Sequence, residues 1–302
     1  MKTVTCACLI AAALVLGHLR LTAAENARLR YVVSVYADEQ GTALARPEGV
    51  ACGGNGQVVV GDTGNDRLVR FTFVGNIVSG RTAIKSSQLS APSRIQLNSK
   101  GDIYALDGRK RRIVQLGPGG DFKAVLAFDG VPPPATIVPK SFTLDSADNI
   151  YVLDAFSGRV LLLNAQGKFQ KALPIPADAG FVSDVAVDVA GNVLLLDAIK
   201  RRMFSAAKDT GSFAPLGGDL TGPLATPPSY MTASKGIIFV VEGIGSSIVA
   251  FGRDGSFLAR QLTMGSDEGM LNHPSQMCVN DKDEVFIADR DNSRIQVFRL
   301  TR

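Results

Sequence analysis

The sequence predicts an all-β fold, a six-bladed β-propeller of four-stranded antiparallel blades, and three observations carry that reading. An acidic residue recurs as Asp62, Asp107, Asp154, Asp197, Glu242 and Asp289, at successive intervals of 45, 47, 43, 45 and 47 residues. Five positions after each stands Arg67, Arg112, Arg159, Arg202, Ser247 or Arg294, so the interval repeats a unit and not a single residue. Around each acid, short apolar runs alternate with Gly, Asn and Asp turns. A period of this length marks a supersecondary unit that buries its apolar face only against its neighbours.

Each element of the unit has its own signature. Fifteen positions before the acid stands Pro47, Pro92, Pro139, Val182, Pro227 or Pro274, and Pro suits the start of a strand because it has no N–H to give to a ladder. Apolar residues then alternate, as in Val50/Cys52, Ile95/Leu97, Phe142/Leu144 and Val185/Val187, the period-2 pattern of an inner strand. Hairpin chemistry follows at Asn55-Gly56, Lys100-Gly101, Asp148-Asn149, Gly191-Asn192, Lys235-Gly236 and Lys282-Asp283. The second strand is a continuous apolar block ending at the acid, such as Ile150-Tyr151-Val152-Leu153, which predicts burial on both faces. A polar turn leads to a third strand opening at the aligned Arg, for instance Arg294-Ile295-Gln296-Val297-Phe298. A more variable fourth strand is expected around Phe122 to Phe128 and Phe257 to Leu262.

Pro-x-x-Val, Gly-x-Val-x-Val-x-Asp and Asp-x-x-Asn-x-Arg-Ile-x-Val-Phe in this order resemble the NHL repeat. The first unit, Pro47 to Phe71, and the last, Pro274 to Phe298, match best; the fourth departs at its Pro, and the fifth carries Glu242 and Ser247 in place of Asp and Arg. The resemblance implies a propeller and leaves the activity open, because such repeats occur in extracellular lyases and in RNA-binding domains alike.

Residues 1–24 read as a secretory signal peptide: Lys2, an apolar run from Cys8 to Leu16, and small residues at Thr22-Ala23-Ala24. Residues 25–302 are then one NHL-type propeller, secreted or periplasmic, with no membrane span. Losing Lys2 and Arg20 takes the formal charge from +4 to +2, too small for general affinity to polyanions. The sixth unit stops after its third strand, and Arg28 to Tyr36 reads as the missing one. The ring would close through this N-terminal strand, and deleting it should unfold the protein. Cys52 and Cys278 lie on inner strands of units that closure makes neighbours, and their aligned positions differ by one, so they leave opposite strand faces. They are either a disulfide locking the ring or two small buried hydrophobes.

Chemistry is sparser. Six copies of the acid and Arg around a ring read as structure, through charge-assisted hydrogen bonds between strand end and turn. A multi-histidine zinc site is excluded, since only His273 remains beyond the signal peptide. The channel mouth should be lined two positions after each Pro, by Gly49, Arg94, Ser141, Asp184, Ser229 and Gln276, with Glu48 beside them. One carboxylate and one Arg make a poor cation cage, so no metal is expected. Neither a Gly-x-Ser-x-Gly elbow nor a Cys-x-x-Cys-His motif occurs, and neither catalytic residues nor a cofactor are assigned. The remaining asymmetry is basic: Arg109, Lys110, Arg111 and Arg112 in one turn, Lys200, Arg201 and Arg202 in another, Arg159 between, and Arg94 and Lys140 on connections to the same face. This face is either a docking patch for an acidic protein or anionic glycan or a solvated rim. Export argues against nucleic acid. The expected function is non-catalytic binding; an extracellular lyase or lactonase-like hydrolase acting at the channel mouth is the alternative.

Overall fold

The computed structural model describes residues 27–302, so the expected signal peptide lies outside the described residues. Six four-stranded antiparallel sheets are arranged as blades. Blade 1 runs Gly49–Cys52, Gln57–Asp62, Arg67–Val74 and Ile77–Ile84. Blades 2 to 5 repeat this plan from Pro92–Leu97, Pro139–Leu144, Val182–Val187 and Tyr230–Ser234. Blade 6 takes Met277–Val279, Glu284–Asp289 and Arg294–Thr301 from the C-terminal end and its outermost strand, Arg28–Val35, from the N-terminal end. The predicted closure is therefore present, with Arg28 opposite Thr301 and Val35 opposite Ile295.

The first strand of each blade packs against the first strand of the next, and blade 6 against blade 1 completes the circle. Second strands are almost wholly buried, as in Ile150–Asp154 and Glu284–Asp289, because strands flank them within the sheet and blades cover both faces. Apolar clusters fill the spaces between blades. At the blade 6–blade 1 junction Phe73 meets Phe286 edge-on at 5.6 Å, a geometry the ring quadrupoles favour. Glycine is required where blade 1 approaches blade 2: a Cβ on Gly61 would lie 2.5 Å from the Pro92 carbonyl oxygen.

Cys52 and Cys278 form a disulfide with Cα atoms 5.9 Å apart. It joins the inner strands of blades 1 and 6. The fourth strand of blade 2 is shorter than expected, Phe122–Val125, because the chain leaves the sheet toward Pro132-Pro133-Pro134, which has no N–H to continue a ladder. Among the described residues no helix is long and apolar enough to cross a membrane.

Candidate functional site at the channel mouth

The repeated acid is a clasp. It stands opposite its +5 residue in every blade, from Asp62 and Arg67 to Asp289 and Arg294. Each acid also accepts a backbone N–H from the connection entering its own blade: Ala45 at 2.7 Å, Ser90 at 3.3 Å, Val138 at 3.0 Å, Gly180 at 2.8 Å, Thr226 at 2.6 Å and Asn272 at 2.6 Å. All six are fully buried, so their hydrogen bonds offset a large desolvation cost. The arginine pairs closely only in blades 1 and 6, at 2.6 and 2.7 Å, where Asn65 and Asn292 also donate to the acid. In blades 2, 3 and 4 the separation is 3.8, 3.6 and 3.5 Å. There the guanidinium reaches the connection: Arg112 donates to the Gln88 carbonyl at 2.7 Å and Arg159 to that of Pro134 at 2.7 Å. In blade 5 the missing arginine is supplied from the fourth strand, where Arg260 pairs with Glu242 while Ser247 donates to it at 2.7 Å.

Arg94, Ser141 and Asp184 gather at the mouth because their strands share a device. The first strands of blades 2, 3 and 4 each break register beside the opening residue, between Pro92 and Arg94, Pro139 and Ser141, and Val182 and Asp184. Such bulges re-aim side chains. The Ser141 hydroxyl donates to Asp184 Oδ1, and the Met231 N–H donates to Oδ2 at 2.7 Å. Burial pushes the Asp184 carboxyl up to about 6 against the pull of Arg94 and these donors. Arg94 crosses the axis: its guanidinium donates to the Ser229 carbonyl at 3.3 Å and to Ser275 Oγ at 3.4 Å, and it lies 5.1 Å from the centre of the Tyr230 ring. Its Nε is buried without a partner. Burial, then Asp184, pushes the Tyr230 phenol up to about 12.

The other predicted mouth residues are structural. Gln276 bridges blades, accepting from the N–H groups of Val50 and Ile95 and donating to the Ile95 carbonyl at 2.9 Å. Ser229 Oγ donates to the Val241 carbonyl, Glu48 lies 4.0 Å from Arg290, and a Cβ at Gly49 would collide with Ile95. Among the described residues no three His, Cys, Asp or Glu side chains are grouped to hold a metal ion.

Much of the predicted basic patch is occupied within the chain. Beyond the aligned arginines, Arg109 pairs with Asp66 at 3.0 Å, Lys200 donates to the Asp178 carbonyl at 2.6 Å and Arg201 to that of Leu224 at 3.1 Å; Arg202 pairs with Asp178 at 2.8 Å. Lys110 and Arg111 form no salt bridge among the described residues, and Lys140 makes only a cation–π contact, 4.4 Å from the Phe181 ring. Arg111 holds a left-handed φ of 50°. In blades 1, 5 and 6 the equivalent Asp66, Ser246 and Ser293 accept the N–H of Ala91, His273 and Arg46 on the next blade. Arginine cannot accept that bond. At this unstitched junction a cleft of about 290 Å³ opens, its lining including Ser93, Asp107, Gly108, Arg111, Lys140 and Phe181. Burial and repulsion from Arg94 and Arg111 lower the Lys140 ammonium, against Asp184. Sequence reasoning included Lys140 as one cation among ten and missed its place between two others, because the bulge that turns it leaves no mark in the period-2 pattern.

The NHL repeat family model matches residues 271–298, the clasp of blade 6 and the strand leading to it. The chain is a six-bladed propeller that carries an NHL repeat. No curated protein matches its sequence. Solved structures similar to this NHL-repeat chain include virginiamycin B lyase from Staphylococcus aureus, at TM-score 0.62 and 12% identity, covering 91% of this chain and 100% of that one. The PQQ-bound aldose sugar dehydrogenase from Streptomyces coelicolor gives 0.63 and 13%, covering 91% and 98%. A structure of the nidogen/laminin complex gives 0.59 and 16%, covering 77% and 91%. At these identities the likeness shows the fold alone.

Proposed function

We propose that this protein is an exported, non-catalytic binding propeller that takes an anionic group of an acidic protein or glycan at the channel mouth, between blades 2 and 3. The observation that carries the reading is the convergence of Arg94, Lys140 and Arg111. Arg94 and Arg111 lower the Lys140 ammonium against Asp184, and Asp107, which also lines the cleft, faces its own Arg112 at 3.8 Å. Like charges held together cost energy that an incoming carboxylate or sulfate recovers.

The test separates the mouth from the rim. Arg111→Glu with Lys140→Glu should sharply lower the salt needed to elute the protein from a sulfonate matrix. Arg109→Glu with Lys200→Glu, whose side chains already serve Asp66 and Asp178, should change it little. Equal effects from the two pairs, or none from the first, would remove the cleft from consideration.

A lyase or hydrolase reading has one specific observation in its favour. Asp184 is buried, is pushed up to about 6 and lies with the Ser141 hydroxyl in the same channel as Tyr230, a setting in which a carboxylate accepts a proton near neutral pH. Turnover of an ester or lactone that is lost in Asp184→Ala distinguishes this reading from simple binding.

A further inference from the structure

A second pattern lies on the turns between second and third strands. The residue two positions after the aligned acid is Gly64, Arg109, Phe156, Ile199, Ile244 and Asp291 in blades 1 to 6. In three consecutive blades it is large and apolar, and it projects: Phe156 is 59% exposed, Ile199 70% and Ile244 61%. Phe181, on the connection entering blade 4, is 47% exposed. A single exposed Ile needs no explanation. Recurrence at one turn position on one face of the ring does.

The clasp presents these side chains. Asp154 accepts the Phe156 N–H at 3.0 Å, and Asp197 accepts the Lys200 N–H at 3.0 Å beside Ile199. The turn backbones are thereby anchored to buried carboxylates. Cations accompany the apolar tips: Lys110 and Arg111 on the preceding blade, Lys140 against Phe181, and Lys200 next to Ile199. Asp178 is paired with Arg202 and Asp66 with Arg109, and Asp219 lies near Arg201. On the other side of the ring, Asp291 pairs with Arg46 and Arg290, and Glu48 lies 4.0 Å from Arg290.

We propose that blades 3 to 5 seat this face on an anionic lipid surface. Phe156, Phe181, Ile199 and Ile244 enter the interfacial layer while Lys110, Arg111, Lys140 and Lys200 meet the headgroups. Apolar area and basic charge act together at such interfaces. A folded partner needs a complementary surface packed as densely as a protein interior, whereas separate knobs projecting from three turns suit a deformable layer. Arg111, Lys140 and Phe181 also line the channel-mouth cleft, whereas Ile199 and Ile244 do not, so substituting those two tests this face apart from the cleft.

The sequence contains no Trp, so Ile244→Trp gives the full-length mature protein a single reporter. With vesicles of equal parts phosphatidylcholine and phosphatidylglycerol, its emission should shift to the blue and be quenched by brominated acyl chains. Vesicles of phosphatidylcholine alone should bind at least about tenfold more weakly, since each basic residue near an anionic surface contributes roughly fivefold. Ile199→Asp with Ile244→Asp should cut co-sedimentation by about a hundredfold, at roughly tenfold per buried aliphatic side chain. Emission unmoved by vesicles, sedimentation insensitive to the Asp pair, equal binding to both vesicle types, or binding to soluble acidic protein but not to vesicles would each overturn the proposal.

Discussion

Asp184 carries a carboxyl that burial pushes up to about 6. Below about pH 4 folded and unfolded chains both hold the proton, and ionisation costs nothing. Between about 4 and about 6 the unfolded chain releases it first, so stability falls as pH rises, by about 3 kcal/mol in all. Above about pH 6 the loss is complete. Asp184→Asn should flatten this window and raise stability at neutral pH, as read from the denaturant midpoint of both proteins across pH 4–7. The position of Asp184 was legible in the sequence, two residues after the only aligned Val that replaces Pro. Its neighbours were not. Ser141 comes from the adjacent blade, and Arg94 reaches across the axis to Ser229 and Ser275. Repeat alignment places backbones but does not specify where a long side chain ends.

At the scale of the element, the strands and hairpins were legible because their signals are local. Alternation marks the first strand, a solid apolar run the second, and left-handed residues the turns between them, including Asn55, Asp148, Lys235 and Asp283. Blade 5 shows the limit of that reading. Its broken acid-to-Arg pair is mended by Arg260, a residue of the variable fourth strand, where no repeat position is defined. Glu242 is fully buried, so Arg260→Ala leaves an acid with hydrogen bonds but no counter-charge. Destabilisation of about 3 kcal/mol is expected, against less than about 1 kcal/mol for Arg109→Ala at an exposed pair. Chemical denaturation of the two variants in parallel measures the difference.

For the molecule as a whole, closure depends on two bonds between the ends of the chain. The strand Arg28–Val35 pairs along Arg294–Thr301, and the disulfide joins residues 226 positions apart. Replacing both cysteines by Ser should cost about 3–5 kcal/mol and lower the midpoint of thermal unfolding without changing the blade count, which reduction of the native protein should reproduce. The cysteines' opposite strand faces were legible in the sequence; their distance was not, since it depends on how tightly six blades close. The pairing of first strand with last also sets an order of events. A ribosome makes Arg28–Val35 first and its partner last, so an apolar edge that includes Tyr31, Val32 and Val33 must stay uncovered until the final blade has been made. An incomplete chain can form individual blades but has no ring to close. The protein is therefore vulnerable to aggregation throughout its own synthesis, and chaperone demand should grow with the time taken to translate it.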